Sequence, residues 1–255
     1  MIRNVLLSSA TLAALTVASF AADLPSRKAP ATYAPAPIFT WTGFYVGADI
    51  GGGWTIDTGR IRNAAGVPQG TENLGASGVV GGLYAGYNYQ VSNAFVLGLE
   101  VDIDATSISQ TSNTNTFQGP NVNADKESLP WQGSLRGRLG YAISNVLLYA
   151  TGGLAFAQIN TSYTTIAAPA SQASFSGMRA GWMVGGGLEY AFDTNWIGRF
   201  EYRYSKFSPF TDGVPNGIGN GLGGLNVRHS VSENAVRVGI AYTFGAPALA
   251  VVAKY

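Results

Sequence analysis

Eight stretches of this chain alternate apolar and small-or-polar residues with a period of two. They span 43–54, 79–89, 95–105, 131–141, 146–157, 180–191, 196–206 and 234–244, each 11 or 12 residues long. Period-two alternation is the mark of a strand whose two faces meet unlike surroundings. In the first, Phe44, Val46, Ala48, Ile50 and Trp54 share one face, while Tyr45, Gly47, Asp49, Gly51 and Gly53 share the other. None of the 11 prolines falls inside the eight stretches, as expected where every backbone N–H joins a ladder.

The connections alternate in length. Short ones lie at 90–94, 142–145 and 192–195, rich in Asn, Ser and Asp, which is turn chemistry. Long ones lie at 55–78, 106–130, 158–179 and 207–233 and carry Gly, Ser, Thr and Asn. The expected fold is all-β: an eight-stranded antiparallel up-and-down transmembrane β-barrel with short periplasmic turns and long extracellular loops. A soluble ligand-carrying barrel would also alternate, with its apolar face inside. An eight-stranded interior, however, is only wide enough for its side chains to fill it, so the small face must point inward. The bulky face then meets lipid.

The aromatic residues fall in two bands. Phe44, Tyr87, Tyr89, Phe95, Tyr141, Tyr190, Trp196, Tyr242 and Phe244 lie towards the short-turn end. Trp54, Trp131, Phe156, Trp182 and Tyr204 lie towards the long-loop end. Two aromatic girdles flanking an apolar band are the interfacial signature of a membrane barrel.

Charge follows the same parity. Asp49, Glu100, Asp102, Asp104, Arg136, Arg138, Glu189, Arg199, Glu201, Arg203 and Arg237 all sit on the small-or-polar face. Lys206 alone has the opposite parity, near a strand end where its stem can reach the headgroups. A charge on the lipid face at mid-depth costs about 2–4 kcal/mol, which accounts for the segregation. The inward set is expected to form a structural charge network, with Glu100, Asp102 and Asp104 facing Arg136 and Arg138 and the seventh segment offering Arg199, Glu201 and Arg203, since arginine grips carboxylates bidentately. A hard-cation site at those three carboxylates is the alternative; the surrounding arginines favour ion pairing.

The N-terminus reads as a cleaved secretory leader over 1–22: Arg3, an apolar run from Val5 to Val17, and small residues around Ser19 to Ala21. Residues 23–40 are a Pro/Ala-rich periplasmic linker, 41–244 the barrel and 245–255 a C-terminal tail. Only 11% of residues are charged, the net charge is +1 and cysteine is absent. This excludes disulfides and thiolate chemistry and gives no footprint for nucleic acid.

Enzyme motifs are weak. Gly219, Gly221 and Gly224 form a literal G-x-G-x-x-G, but without the strand before and helix after that the dinucleotide motif needs. His229 is the single histidine, beside Ser230 and Ser232, with no G-x-S-x-G and no base-orienting group identifiable from sequence. The expectation is a non-enzyme without cofactor, whose partners are outer-membrane lipid and lipopolysaccharide, the barrel-assembly machinery during biogenesis, and an unspecified ligand of the loops.

The segments "ADLPSRKAP", "WTGFYVG" (Trp41 to Gly47), "RAGWMVGGGLEYAFDTNWIGRFEYRY" (Arg179 to Tyr204) and "VRVGIAYTFG" (Val236 to Gly245) resemble the small porin-like outer-membrane β-barrel family of alphaproteobacteria, often called outer-membrane immunogenic or surface-antigen proteins. The resemblance covers essentially the whole mature chain. It implies an outer-membrane location and an eight-stranded barrel with surface-exposed loops. Relatives are described as porin-like, as immunogens and in some cases as haem-binding or host-interacting. Such barrels end on an aromatic that the assembly machinery reads; here Phe244 fits, although residues to Tyr255 follow it.

Overall fold

The computed structural model describes residues 39–114, 123–165, 172–213, 224 and 226–244. The expected leader, all of the linker but residues 39 and 40, the 245–255 tail and the glycine motif apart from Gly224 lie outside the described residues.

Among the described residues eleven strands follow one another: β1 (Gly43–Arg62), β2 (Pro68–Leu74), β3 (Ser77–Gln90), β4 (Phe95–Thr114), β5 (Asn123–Ile143), β6 (Val146–Thr165), β7 (Gln172–Ala191), β8 (Trp196–Phe207), β9 (Phe210–Gly213), β10 (Asn226–His229) and β11 (Val231–Thr243). Eight of them close a ring in the order β1-β3-β4-β5-β6-β7-β8-β11, with β11 pairing back onto β1 from Tyr45↔Thr243 to Asp57↔Val231. Every pairing is antiparallel. Closure leaves the ring no unpaired edge, the condition for a sheet to sit in lipid.

The expected long loops are in part strand. β4 to β7 each run 20 or 21 residues, about twice what crosses a bilayer. β2, β9 and β10 extend the outer end further by pairing on β1 and on each other. Above the membrane a ladder needs no apolar face, so Thr, Ser and Asn serve in it and the hydrophobic alternation that marks the lower half fades. Pro130 lies inside β5, where the ladders to β4 and β6 both slip register; a bulge is where a strand tolerates a residue without an N–H.

Side chains obey the expected parity. Phe44, Ile50, Leu99, Ile103 and Leu139 point outwards, Phe44 with 66% of its surface free. The interior is layered along the barrel axis. At the short-turn end Trp41, Tyr45, Tyr84, Val96, Leu147 and Ile197 form an apolar floor, with Phe39 packed edge-on against Trp41. Above the charged layer Val80, Ile108, Leu129, Met183 and Phe207 form a second apolar layer, and Ile61, Tyr163 and Val227 a third, smaller group nearer the outer mouth.

Three buried tyrosines enter the interior from the small-residue face, each opposite a glycine on the adjacent strand: Tyr45↔Gly86, Tyr84↔Gly47 and Tyr149↔Gly187. A Cβ at any of these glycines would collide with the facing phenol. The glycines are therefore sites of close approach that make room for an aromatic ring.

Candidate functional site

Between the floor and the second apolar layer lies the densest chemistry of the chain. All eleven charged residues expected inside are there, each buried. β4 supplies Glu100, Asp102 and Asp104 on consecutive inward positions; β5 and β8 supply Arg136, Arg138, Arg199 and Arg203.

Glu100 is the hub. It stands directly opposite Arg136 in the β4–β5 ladder, and Arg136 holds it through Nε at 3.1 Å and through a second, closer contact from Nη2. Arg138 reaches its Oε2 at 3.2 Å, and Arg199 binds both oxygens, at 2.9 and 2.6 Å. The Tyr45 hydroxyl donates to the same carboxylate at 2.6 Å. Arg199 also holds Glu189 at 2.7 Å, Arg138 holds Glu189 at 2.8 Å and Arg136 holds Glu201 at 2.8 Å. Rings take up the remaining guanidinium faces: Arg199 lies 3.9 Å over Tyr84 and Arg138 4.1 Å over Tyr149.

Asp102 and Asp104 draw on the expected inward set, but chiefly on Arg203 and Arg237 rather than on the β5 arginines. Asp102 accepts from Ser134 on β5 and from Arg203 at 3.0 Å, with Arg136 3.7 Å away. Asp104 faces Arg203 at 3.0 Å and Arg237 at 2.7 Å, and Arg237 lies 3.5 Å from Asp49. The cations for the upper two carboxylates thus come from β8 and β11, reached across the interior. Alternation along the sequence places Arg199 and Arg203 on the inward face, but only closure of the ring brings β8 across from β4. All three carboxylates are engaged by guanidinium groups, and among the described residues no cluster of three or more His, Asp or Glu could hold a metal.

A second polar cluster, missed in the sequence, sits nearer the outer mouth. His229 is buried in β10, not at the edge of a loop. Its Nδ1 lies 2.5 Å from Asp57, its Nε2 2.8 Å from the Tyr163 hydroxyl, and its ring stacks on Phe210 with centroids 5.0 Å apart. Asp212 lies 3.8 Å from Nε2 and accepts from Thr161 at 2.6 Å. Asp57 is the ring-orienting carboxylate that sequence could not identify. The signal was present: the alternation of β1 continues past Trp54 and places Thr55, Asp57 and Ile61 inside. Glu127 and Glu233 are further buried acids outside the expected segments, and Glu233 accepts from Gln132 at 2.9 Å.

The expected girdle residues all stay out of the interior; none is buried. At the lower end Phe44 packs on Tyr87, Phe95 on Tyr141 and Trp196 on Tyr242, with centroids 4.6, 5.5 and 5.2 Å apart. Tyr89 and Tyr190 are exposed beside them. At the upper end Trp182 packs on Tyr204 at 5.6 Å, and Trp54, Trp131 and Phe156 complete the band. At about 3.3 Å per residue and about 40° of tilt, the path from Phe44 to Trp54 rises about 25 Å, the height of an outer-membrane apolar band. Phe244 is exposed, packs edge-on against Tyr242 with centroids 5.1 Å apart and donates its N–H to Phe44 O at 2.7 Å across the closing seam.

A closed eight-stranded ring with an apolar aromatic-edged exterior and an ionic interior is an outer-membrane β-barrel. The chain belongs to the outer membrane protein beta-barrel domain family, which matches residues 8–244. It is 31% identical over 254 residues to the 31 kDa outer-membrane immunogenic protein of Brucella melitensis biotype 1, covering 95% of this chain and 100% of the relative. It is 29% identical over 210 residues to the 22 kDa outer membrane protein of Rhizobium leguminosarum bv. viciae, covering 82% of this chain and 80% of that one. Among solved structures it is similar in fold to the outer membrane protein OprG of Pseudomonas aeruginosa, with a TM-score of 0.53 and 15% identity over 80% of this chain and 97% of that one. The protein is an outer-membrane member of this alphaproteobacterial family of immunogenic surface proteins.

Proposed function

We propose that the barrel is a closed membrane anchor that carries its long outer extension as a surface for recognition, with a lumen plugged by charge and no catalytic activity. The observation that carries this reading is the set of contacts that span the interior. β4 and β8 lie on opposite sides of the ring, as do β5 and β11, yet Glu100 bonds Arg199 and Gln132 bonds Glu233. Contacts across the diameter leave little room for a continuous water column, and the apolar layers on either side of the ions support the same reading. Both aromatic girdles fit a partnership with lipid and lipopolysaccharide, and the exposed terminal aromatic Phe244 fits recognition by the assembly machinery. The name "immunogenic" borne by the relatives agrees with exposed outer strands.

Planar-bilayer recording of the refolded full chain tests the reading. A silent membrane supports the anchor. Reproducible steps of one size would replace it with a small diffusion channel, the porin-like alternative. For the loops, haemin titration that leaves the absorption spectrum unchanged is the expected outcome, since one buried histidine offers little ligation.

A further inference from the structure

Above the upper aromatic girdle the outward face of the sheet changes character. Along β1 the outward residues run Trp54, Ile56, Thr58, Arg60 and Arg62, from girdle through an apolar step to cations. At Arg60 the ladder places a second arginine directly opposite, Arg228 of β10. The same row continues to Thr71 of β2 on one side and Thr211 of β9 on the other, all four side chains exposed.

Like charges directly opposed across an antiparallel pair destabilise it. Neither of these guanidinium groups has a hydrogen-bond or ion-pair partner among the described residues, whereas each of the five arginines of the inner network faces carboxylates. Between them opens a polar cleft of about 410 Å³ lined by Thr58, Arg60, Pro209, Arg228 and Ser230. Lys206 reaches its lower rim, where Nζ donates to Ser230 Oγ at 2.9 Å. Among the described residues no carboxylate lines the cleft. Asp57, next to Thr58 in sequence, is turned inside, bound to His229 and to the Ser230 N–H at 2.9 Å.

We propose that this cleft binds the phosphate of an anionic lipid headgroup in the outer leaflet. Two arginines supply planar donor forks that match phosphate oxygens, the Thr58 and Ser230 hydroxyls supply further donors, and Lys206 adds charge from the membrane side. Location selects a lipid over a free anion. The cleft lies on the face continuous with the lipid-facing band and begins two residues above Ile56, which is 53% exposed. Lys206 itself pairs with Trp182 of the girdle. A bound phosphate would also relieve the Arg60–Arg228 repulsion. The inference rests on the long-strand end being the outer one.

The test uses the refolded full chain in micelles with three probes: diphosphorylated lipid A, its dephosphorylated form and inorganic phosphate. Binding is read by native mass spectrometry and by the thermal midpoint. The wild type should prefer the phosphorylated lipid by at least about ten-fold, about the least that one charge-assisted hydrogen bond would give. R60Q/R228Q should lose the preference, R60K/R228K should keep part of it and R62Q should keep it all. Equal binding of the two lipids, or a preference that survives in R60Q/R228Q, overturns the proposal. Inorganic phosphate raising the midpoint as much as the lipid assigns the cleft to a free anion and also overturns it. Each variant is checked for the heat-modifiable gel shift of a folded barrel; its absence in the wild type would sink the barrel reading itself.

Discussion

Glu100 and Arg199 form an ion pair at 2.6 Å although their strands, β4 and β8, stand on opposite sides of the eight-membered ring. The pair fixes the barrel's width, because a carboxylate and a guanidinium bond across it without a bridging residue. It also sets the rank of the interior charges: Glu100 meets three arginines, so its removal strands more charge than removal of any other acid in the network.

Glu100→Ala should therefore lower unfolding stability by about 3–5 kcal/mol, the usual effect of deleting one partner from a buried pair. Arg136→Ala and Arg138→Ala should also lower the thermal midpoint, and each by more than Lys206→Ala, whose hydroxyl partner is half-buried. Urea titration of the refolded barrel reads the difference. Arginine variants no weaker than the lysine variant would count against an ionic interior that holds the strands together.

Glycine offers a sharper packing test. Gly47→Val drives a side chain into the Tyr84 ring, whereas Gly52→Val, five residues along the same strand, has open space on the outer face. Gly47→Val should destabilise by about 1–3 kcal/mol and Gly52→Val by little. Equal effects would mean that strand propensity, not the tyrosine, sets the glycine requirement.

The His229 cluster ties β1, β6, β9 and β10 together at the outer mouth. His229→Ala leaves the buried Asp57 and Tyr163 hydroxyl short of a partner, worth about 1–3 kcal/mol locally. Faster protease cutting near β9 and β10, with the gel shift of the folded barrel retained, is the expected result. The lipid composition of the membrane should not change. An altered lipid would instead make Asp57 and His229 a catalytic pair.

Phe244 and the tail are separable candidates for the expected assembly signal. Phe44 accepts the Phe244 N–H at the seam where β11 meets β1, so the aromatic belongs to the ring itself. Phe244→Asp should impair membrane insertion, and deleting 245–255 should leave it intact. Outer-membrane fractionation distinguishes the two, and the reverse pattern would move the signal to Tyr255.

The sequence by itself determined the number of strands in the closed ring, the inward and outward faces and the position of the apolar band. Each of these follows from local periodicity: in Phe95 to Asp104, one residue in two must suit lipid and the next must not. The same logic stopped at Ala105 and Ala157, because above the membrane β4 and β6 continue largely on Thr, Ser and Asn without an apolar face to announce them. Tertiary structure decided the partners. Asp102 and Asp104 take their arginines from strands about a hundred residues away, His229 finds Asp57 at a separation of 172, and Arg60 meets Arg228. Alternation fixes which face a side chain occupies, but only closure of the ring fixes which side chains meet across it.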